Sequence, residues 1–295
     1  MLLVRYSEIM LKSRMTRVIL GRMLERNIRV ALGRRRLKVG RDGGLFYIET
    51  EDEQECADRL RKVFGVAYIS VCEVVPAEVE GIAKKCVEIG REFRSGSSFA
   101  IRARRVGEHP FSSTEICVET GRRMLEELRN RKLKVDLEEP DEEVFVYVRE
   151  RRAFISRGRV KAYGGMPIGS QGKVVAMINN RNSYLAAWMM MRRGCELIAV
   201  FSTKRGEGLA EKLMEWHIGR DMGMHDLRKK HAKLDGKRLL MEAGRIARES
   251  GALGVVSGGS VCSDKKLEEI KKLDDVAEVP VYRPLAMLEV EMVVA

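Results

Sequence analysis

The chain has few of the residues that usually bind metals. Its 295 residues include only four His and six Cys, and no two cysteines are closer than fourteen positions. Structural zinc sites place cysteines two to four residues apart, so this spacing excludes the usual zinc pattern. The four His do not form the helical ligand pair that metalloproteases use. We therefore predict no metal site and expect most cysteines to be reduced core residues.

Long apolar stretches are also missing. No run of eighteen apolar residues occurs, and the first residues, MLLVRYSE, lack the apolar core of a signal peptide. These absences argue against the membrane-spanning and secreted classes. We predict a cytoplasmic protein that does not bind membranes.

Amide side chains are scarce, whereas charged side chains are abundant. The sequence has five Asn and two Gln, while 33% of its residues are charged and its net charge is +12. This bias is typical of proteins from hot environments. The positive charge is spread along the chain rather than held in a tail, which favours a folded surface that follows a polyanion. A basic protein without such a ligand is the alternative.

The first 75 residues alternate between strand and helix patterns. A strong hairpin signal, Arg41-Asp42-Gly43-Gly44, separates two of the strands. The predicted elements, in the order βαββαβ, are a strand at 2–6, a helix at 13–32, strands at 37–40 and 45–50, a helix at 52–63 and a strand at 66–71. This order is that of a ferredoxin-like domain.

A second unit begins at Pro76. Its predicted elements are helices at 77–93 and 112–130, a strand at 99–104 and an antiparallel strand pair at 144–149 and 153–156. The acidic segment 138–143 is interpreted as a solvated loop. Residues 157–172 contain five Gly and one Pro and are predicted to form a linker.

From Lys173 onward the pattern alternates strand and helix, which predicts a Rossmann-like parallel sheet. In such sheets, ligands bind at the carboxyl ends of the strands. Two loops fall at such ends, at 178–183 and 257–260. The second contains Gly258 and Gly259 and could hold a phosphate or carboxylate, or be only a turn of small residues.

The loop at 178–183 joins a predicted strand to a long apolar helix, as phosphate-binding loops do, but it has no glycine. Three of the five Asn of the chain lie here, at Asn179, Asn180 and Asn182. Asn tolerates left-handed backbone angles next best to Gly, so the loop could keep a related conformation with a different lining. The alternative is an Asn-rich turn in which Asn182 or Ser183 caps the helix.

Several motifs together resemble the tRNA 4-thiouridine synthetase (tRNA sulfurtransferase) family, which carries an RNA-binding THUMP domain. They are RYSEI from Arg5, FAIRARR from Phe99, GGMPIG from Gly164, AAW from Ala186, GALGVV from Gly251 and PVYRPL from Pro280. The resemblance covers nearly the whole chain. It implies a ferredoxin-like domain at 1–75, a THUMP domain at 76–165 and a PP-loop domain of the adenine nucleotide alpha hydrolase type at 166–295.

The departures from that family fall on its chemistry, which uses ATP to activate a uridine and a cysteine persulfide to deliver sulfur. The family's nucleotide loop, SGGIDS, corresponds here to INNRNS, so that only the final Ser183 is kept. The family's later loop is shortened around Gly258 and Gly259. Its catalytic cysteine would fall among residues 233–236, where no Cys occurs.

We therefore interpret the protein as a tRNA binder with lost or weak sulfur-transfer activity and no catalytic residue of its own. The predicted phosphate contacts, which could instead be a solvated face, are Arg102, Arg104, Arg105, Arg122 and Arg123. The predicted vestigial nucleotide site comprises Asn179, Asn180, Asn182, Ser183, Gly258 and Gly259.

Two other interpretations stay open. One is an active ATP- and magnesium-dependent tRNA sulfurtransferase whose sulfur passes through Cys195, Cys262 or a separate sulfur-carrier protein. The other is a subunit that activates an enzyme encoded elsewhere. A homodimer is compatible with each of the three interpretations.

Overall fold

The computed structural model describes residues 1–6, 8–33, 38–42, 44–228, 235–259 and 267–287. Contacts between segments divide the chain into two compact units. Residues 1–5, 36–58 and 68–161 form the first unit, and residues 6–35, 59–67 and 162–295 form the second.

Strands and helices alternate along most of the described chain. The strands are β1 (Leu2–Tyr6), β2 (Lys38–Asp42), β3 (Leu45–Glu49), β4 (Val66–Val71), β5 (Glu73–Pro76), β6 (Ser98–Val106), β7 (Lys134–Val135), β8 (Glu142–Arg149), β9 (Arg152–Arg157), β10 (Val160–Lys161), β11 (Lys173–Met177), β12 (Glu196–Phe201), β13 (Gly223–Asp226), β14 (Val255–Val256) and β15 (Val281–Tyr282). The helices are α1 (Arg14–Leu32), α2 (Glu53–Arg61), α3 (Val79–Gly90), α4 (Ser113–Glu127), α5 (Arg181–Arg192), α6 (Lys204–Met214), α7 (Gly236–Ser250) and α8 (Leu267–Asp274). Short 3-10 helices span Glu8–Leu11 and Arg129–Arg131.

Local hydrogen bonds explain where the helices begin. The Ser112 hydroxyl accepts from the Glu115 amide at 3.1 Å, and the Glu115 carboxylate accepts in return from the Ser112 amide, which makes a capping box at the start of α4. The Thr203 hydroxyl accepts from the Gly206 amide at 2.9 Å and starts α6. This helix starts at Lys204 although the glycines at 206 and 208 weaken its helical pattern in the sequence.

The described strands form three sheets. The N-terminal sheet has the order β10-β4-β1-β3-β2, and the second has the order β5-β9-β8-β6-β7. In the second sheet β6 runs parallel to β8, and β8 pairs antiparallel with β9. Helices α3 and α4 cover one face of it through a core that includes Phe93, Phe99, Ile101 and Ile116. The predicted βαββαβ order at the N-terminus is confirmed.

The third sheet, β13-β12-β11-β14-β15, is entirely parallel and lies in the second unit. Alternate residues of β11 face opposite sides: Val174 and Ala176 enter one core with α5, while Val175 enters another with α7. The strand order reverses between β11 and β14, so the carboxyl ends of these two strands are where a ligand crevice is expected in a sheet of this kind. The predicted parallel sheet is confirmed, although sequence missed the short strands β13 and β15.

The predicted linker at 157–172 is divided between the units, and its glycine-rich part from residue 162 onward is closely packed within the second unit. The Gly65 amide donates to the Gly164 carbonyl at 2.7 Å, and the Gly164 amide donates to the Val66 carbonyl at 2.8 Å. Gly165 has a φ of +78°, and a Cβ there would collide with the Arg192 backbone carbonyl. Only glycine permits this approach.

Both tryptophans of the chain lie in one aromatic cluster of the second unit. The Trp188 and Trp216 ring centroids are 5.6 Å apart at an interplanar angle of 85°. Tyr163 contacts both rings edge-on, and Phe64 packs against them from the other segment of the unit. Edge-to-face pairs of this kind are electrostatically favourable, and they fix residues 59–67 and 162–165 against α5.

No helix in the described part of the chain is both long enough and apolar enough to cross a membrane. In those same ranges, no group of three or more His, Cys, Asp or Glu side chains is arranged to hold a metal ion.

Candidate functional site

The loop between β11 and α5 lies at the crevice of the parallel sheet, and its own side chains satisfy its backbone. Asn180 is the N-cap of α5: its Oδ1 accepts from the Ser183 amide at 2.9 Å. In return the Ser183 hydroxyl accepts from the amides of Asn179 and Asn180, each at 3.0 Å. Three backbone N–H groups that could face an anion are therefore already hydrogen bonded within the loop.

The expected cap position was wrong. The alternative interpretation of this loop named Asn182 or Ser183 as the N-cap, whereas Asn180 occupies that position and the helix begins at Arg181. The reason is that Ser183 completes a capping box from the N3 position, which Ser does here in place of the more usual Glu or Gln. Asn182 lies in the first turn of the helix.

Asn179 links the ends of two neighbouring strands. Its Oδ1 accepts from the Ser202 amide at 3.0 Å, and its Nδ2 donates to the Ser202 hydroxyl at 3.0 Å. The Thr203 hydroxyl also lies 3.3 Å from Asn179 Oδ1. Asn179 therefore bridges the carboxyl ends of β11 and β12.

The second predicted loop closes the crevice from the other side. Gly258 approaches the start of α5 so closely that a Cβ on it would lie 2.6 Å from the Asn182 carbonyl carbon and would collide with the Ser183 amide. The Gly259 amide donates to the Ser257 hydroxyl at 3.2 Å. These glycines thus allow two backbone segments of the chain to pack together, and they bring all six predicted nucleotide-site residues to one edge of the sheet.

A cluster of charges lies at the same edge. Arg228 donates to both carboxylate oxygens of Glu207, at 3.0 Å each, and also pairs with Asp226 at the end of β13. The hydrogen bonds from Arg228 and Lys204 lower the pKa of Glu207. These carboxylates are neutralised by the protein itself.

Cys195, proposed as a sulfur carrier in the active interpretation, lies at the opposite edge. It directly precedes β12, and the six residues of that strand span about 20 Å, so Cys195 is at the amino edge while the loops are at the carboxyl edge. Burial raises the pKa of its thiol, which disfavours the nucleophilic thiolate. Cys262 lies outside the described residues.

The five predicted RNA-binding arginines do not form one surface. Side chains alternate along a strand, so Arg102 and Arg104 project from one face of β6, whereas Arg105 projects from the face covered by the helices. Arg105 donates to the Gly107 carbonyl at 3.0 Å. Arg122 and Arg123 lie on α4, which covers that second face.

Ion pairs further separate these residues. Arg102 pairs with Glu143 at 2.9 Å and donates to the Leu137 carbonyl. Arg122 is held between Glu119 and Glu126, and its hydrogen bonds to these two carboxylates raise the pKa of Arg122. Arg123 pairs with Glu80 and Glu127. Arg104, by contrast, is exposed and has no carboxylate partner in the described ranges.

Arg104 instead belongs to a group of arginines and aromatic rings in the first unit, most of which sequence analysis missed. Burial, and next the positive charge of Arg104, lower the pKa of Arg5, and Arg159 makes a smaller contribution in the same direction. We call this group the arginine–aromatic surface. Its members are Arg5, Arg104, Arg159, Tyr68, Phe145 and Tyr147.

Cation–π contacts hold the surface together. The Arg5 guanidinium lies 5.7 Å from the Tyr147 ring centroid, and that of Arg159 lies 3.9 Å from Phe145 and 4.8 Å from Tyr68. Arg159 is exposed, while Tyr68 and Phe145 are half-buried. Clustered guanidinium groups beside accessible rings can contact phosphates and stack on unpaired bases.

Comparisons with known proteins match the chain almost from end to end. A family model described as the ThiI ferredoxin-like domain matches residues 1–70, and a THUMP domain model matches residues 76–157. A probable tRNA sulfurtransferase of Thermococcus kodakarensis is 33% identical over 99% of this chain and 85% of its own length. One from Methanosarcina mazei is 32% identical over 96% of this chain and 78% of its own length.

Solved structures agree with these matches. PH1313 from Pyrococcus horikoshii superposes with a TM-score of 0.82 and 29% identity, over 99% of this chain and 96% of that one. A 4-thiouridine synthetase solved with RNA and bound ATP superposes with a TM-score of 0.80 and 27% identity, over 99% of this chain and 82% of that one. The predicted ferredoxin-like, THUMP and parallel-sheet assignments are confirmed.

Proposed function

This chain belongs to the tRNA sulfurtransferase family, and we propose that it is a member that binds tRNA without activating it by ATP. The observation that carries this proposal is the hydrogen-bond set in which Asn179, Asn180 and Ser183 satisfy one another at the crevice of the parallel sheet. A loop whose amides are occupied by its own side chains has little left to offer a pyrophosphate.

The shape of the crevice supports the same proposal. A pyrophosphate cradle needs bare backbone at its closest approach, and the Cβ atoms of Asn179 and Asn180 stand where the family has glycine. The backbone at Gly258 lies against the start of α5, where a bound phosphate would be expected. The residues present therefore do not fit ATP, and no chemical step through ATP is assigned to them.

The sulfur-transfer half of the chemistry has no support among the described cysteines. Cys195 is buried at the amino edge of the sheet with a raised pKa. The others, Cys56, Cys72, Cys86 and Cys117, belong to the first unit. A thiol that attacks an activated uridine would instead need to lie beside the nucleotide loop.

RNA binding is assigned to the arginine–aromatic surface. Exposed guanidinium groups supply phosphate contacts, and the Arg159 guanidinium that the Phe145 and Tyr68 rings hold can itself stack on a base, a combination suited to single-stranded RNA ends or loops. The relative that was solved with RNA shares 27% identity with this chain over 99% of its length, which supports tRNA as the ligand class.

Thermal unfolding in the presence of millimolar ATP with magnesium tests the proposal. A ligand that does not bind the folded state cannot stabilise it, so we expect the melting temperature to rise by no more than about one degree. A catalytically active family relative serves as the positive control. Clear stabilisation by ATP that disappears in Asn182→Ala or Ser183→Ala would show that the loop binds nucleotide and would overturn the proposal.

A second candidate is an active ATP-dependent tRNA sulfurtransferase that makes 4-thiouridine. The observation in its favour is that the parallel sheet keeps the strand reversal between β11 and β14, where nucleotides bind in such sheets. Incubation of unmodified tRNA with the protein, ATP, magnesium and a persulfide sulfur donor would show thiolated uridine if this candidate is correct. Loss of that product in Cys195→Ser or Cys262→Ser would identify the sulfur carrier.

A further inference from the structure

The start of α1 presents apolar side chains to solvent. Leu11, in the 3-10 helix before α1, is 86% exposed, and Met15 and Ile19 are 73% and 54% exposed. Met15 and Ile19 are four residues apart and therefore lie one above the other on the same face of the helix. Isolated exposed apolar residues are normal, but Met15 and Ile19 on one face of α1, with Leu11 just before it, leave three exposed apolar side chains close together in the sequence.

The same face becomes cationic toward the end of the helix. At about 100° per residue, Arg22 and Arg26 lie within about 60° of Met15 and Ile19 around the axis, and the four side chains span about 17 Å along it. Both arginines are exposed, as are the flanking Lys12 and Arg14. We call Leu11, Met15, Ile19, Arg22 and Arg26 the α1 stripe.

Among the described residues, the cations of the stripe and the cations beside it form no ion pair with a carboxylate of the protein. Within the described ranges, no carboxylate lies at ion-pair distance from Lys12, Arg14, Arg22 or Arg26. The arginines of α4, in contrast, are paired with carboxylates of the protein. Unpaired cations next to exposed aliphatic side chains leave a surface that is complementary to acidic and apolar groups together.

We propose that the α1 stripe is the docking site of an acidic protein whose contact segment places apolar side chains on Leu11, Met15 and Ile19 and carboxylates on Arg22 and Arg26. This interaction is distinct from tRNA binding at the arginine–aromatic surface. The apolar half would supply burial, and the charged half would set the orientation and speed up association.

Charge argues against two other occupants. In a symmetric dimer the patch would meet a second copy of itself, so two basic surfaces from chains of net charge +12 would face each other, and the stripe contains no carboxylate to offer Arg22 or Arg26. RNA would use the arginines, but phosphates gain nothing from an 86%-exposed Leu or a 73%-exposed Met.

The test uses the full chain and a defined probe. The probe is a fluorescent 21-residue helical peptide with Leu at the a and d positions of each heptad and Glu at the flanking positions, used below its own self-association concentration. We expect saturable binding by fluorescence anisotropy, at least tenfold weaker for a matched peptide with Lys in place of Glu. A matched peptide with Ser in place of Leu should also bind at least tenfold more weakly.

Variants on the protein side separate the two halves of the stripe. Met15→Ser with Ile19→Ser should weaken peptide binding about tenfold, and Arg22→Glu with Arg26→Glu should reverse the preference in favour of the Lys peptide. Val118→Ser, on the 64%-exposed Val118 of α4, is the matched control and should leave binding unchanged. These positions are exposed, so melting temperatures should stay close to that of the parent chain.

Three outcomes would overturn the proposal. If the Met15→Ser, Ile19→Ser variant bound the Leu/Glu peptide as tightly as the parent chain does, the surface would be a site for any polyanion. Loss of tRNA affinity on replacing the stripe arginines, together with competition between tRNA and peptide, would make it an RNA surface. Conversion of a dimer to a monomer by the apolar variant in sedimentation would identify a second copy of the chain as the occupant. None of these outcomes depends on whether ATP binds.

Discussion

The guanidinium carbon of Arg159 lies 3.9 Å from the centroid of the Phe145 ring, close enough for the cation to rest on the ring face. Arg159 precedes the two-residue strand β10, and Phe145 lies in the middle of β8, so the contact joins the edge of one sheet to the face of another within the first unit. An arginine held in this way keeps its charge accessible while its plane is fixed, which lowers the entropy lost when it binds a phosphate or stacks on a base.

The first prediction concerns the arginines of this surface. The double variant Arg104→Ala, Arg159→Ala should weaken tRNA binding roughly uniformly across tRNA species. Because two phosphate contacts are lost, the slope of log K against log salt concentration should become less steep by about one to two units. Filter binding at several salt concentrations measures both effects. Arg105→Ala, which changes a side chain on the opposite face of β6, should have a smaller effect. Equal losses for Arg104→Ala and Arg105→Ala would contradict the assignment.

The second prediction concerns Asn179. Asn179→Ala leaves the Ser202 amide without its partner at the sheet edge and should lower the free energy of unfolding by about 1–3 kcal/mol. Urea unfolding followed by tryptophan emission measures this change. Asn182→Ala, in the first turn of α5, is the comparison and should cost less. If Asn179→Ala left the free energy of unfolding unchanged, the bridge between β11 and β12 would contribute little to stability.

Much of this arrangement could be predicted from sequence, and the missing parts have a common cause. The alternation of apolar residues placed β6, β11 and α7, and the Asn-rich loop was expected at the end of β11. The pairing of Asn179 with Ser202 was not predictable, because the two residues are 23 positions apart and meet only when β11 and β12 align.

The arginine–aromatic surface shows the same limit. Arg104 was predicted to bind RNA because it lies in a basic strand, but Arg5 and Arg159 come from opposite ends of the first unit's sequence. Their proximity depends on the antiparallel pairing of β10 with β4 and on how β1 is placed beside β4, which periodicity does not reveal. Arg105 and the α4 arginines were grouped with Arg104 for the same reason, since composition does not distinguish the two faces of a sheet.

The third prediction concerns pH and His217. His217 is buried, its Nε2 accepts from the Leu197 amide at 2.9 Å, and its Nδ1 lies 3.0 Å from the Arg220 carbonyl, so both nitrogens are used by the neutral ring. Burial lowers the pKa of His217. In the unfolded chain, histidine takes up a proton near pH 6.5. Between that pH and the lower folded pKa, the unfolded state binds more protons, so stability falls as pH falls.

Urea unfolding at pH 7.5, 6.5 and 5.5 tests this expectation. The parent chain should lose stability across the series, and His217→Gln should be less stable at pH 7.5 but show a flatter dependence on pH. Identical slopes for the two proteins would place the titrating group elsewhere.

The fourth prediction concerns thiol reactivity. Burial raises the pKa of Cys72 and of Cys86 to about 12 and also raises that of Cys195. At pH 8 these thiols should react with iodoacetamide far more slowly in the native protein than in urea, because the thiolate is the reactive form. Mass spectrometry of tryptic peptides after timed labelling would rank them. Rapid labelling of Cys195 in the native state would revive the active interpretation.

The confinement of both indoles to the cluster of Trp188, Trp216 and Tyr163 makes emission a local reporter. Tryptophan emission reports only on the second unit, because the first unit contains no tryptophan. Backbone circular dichroism, in contrast, reports on both units. Denaturation curves recorded by the two methods therefore observe different parts of the same chain. Coincident curves would mean that the units unfold as one cooperative system, and separated curves would give each unit its own free energy of unfolding without cutting the chain.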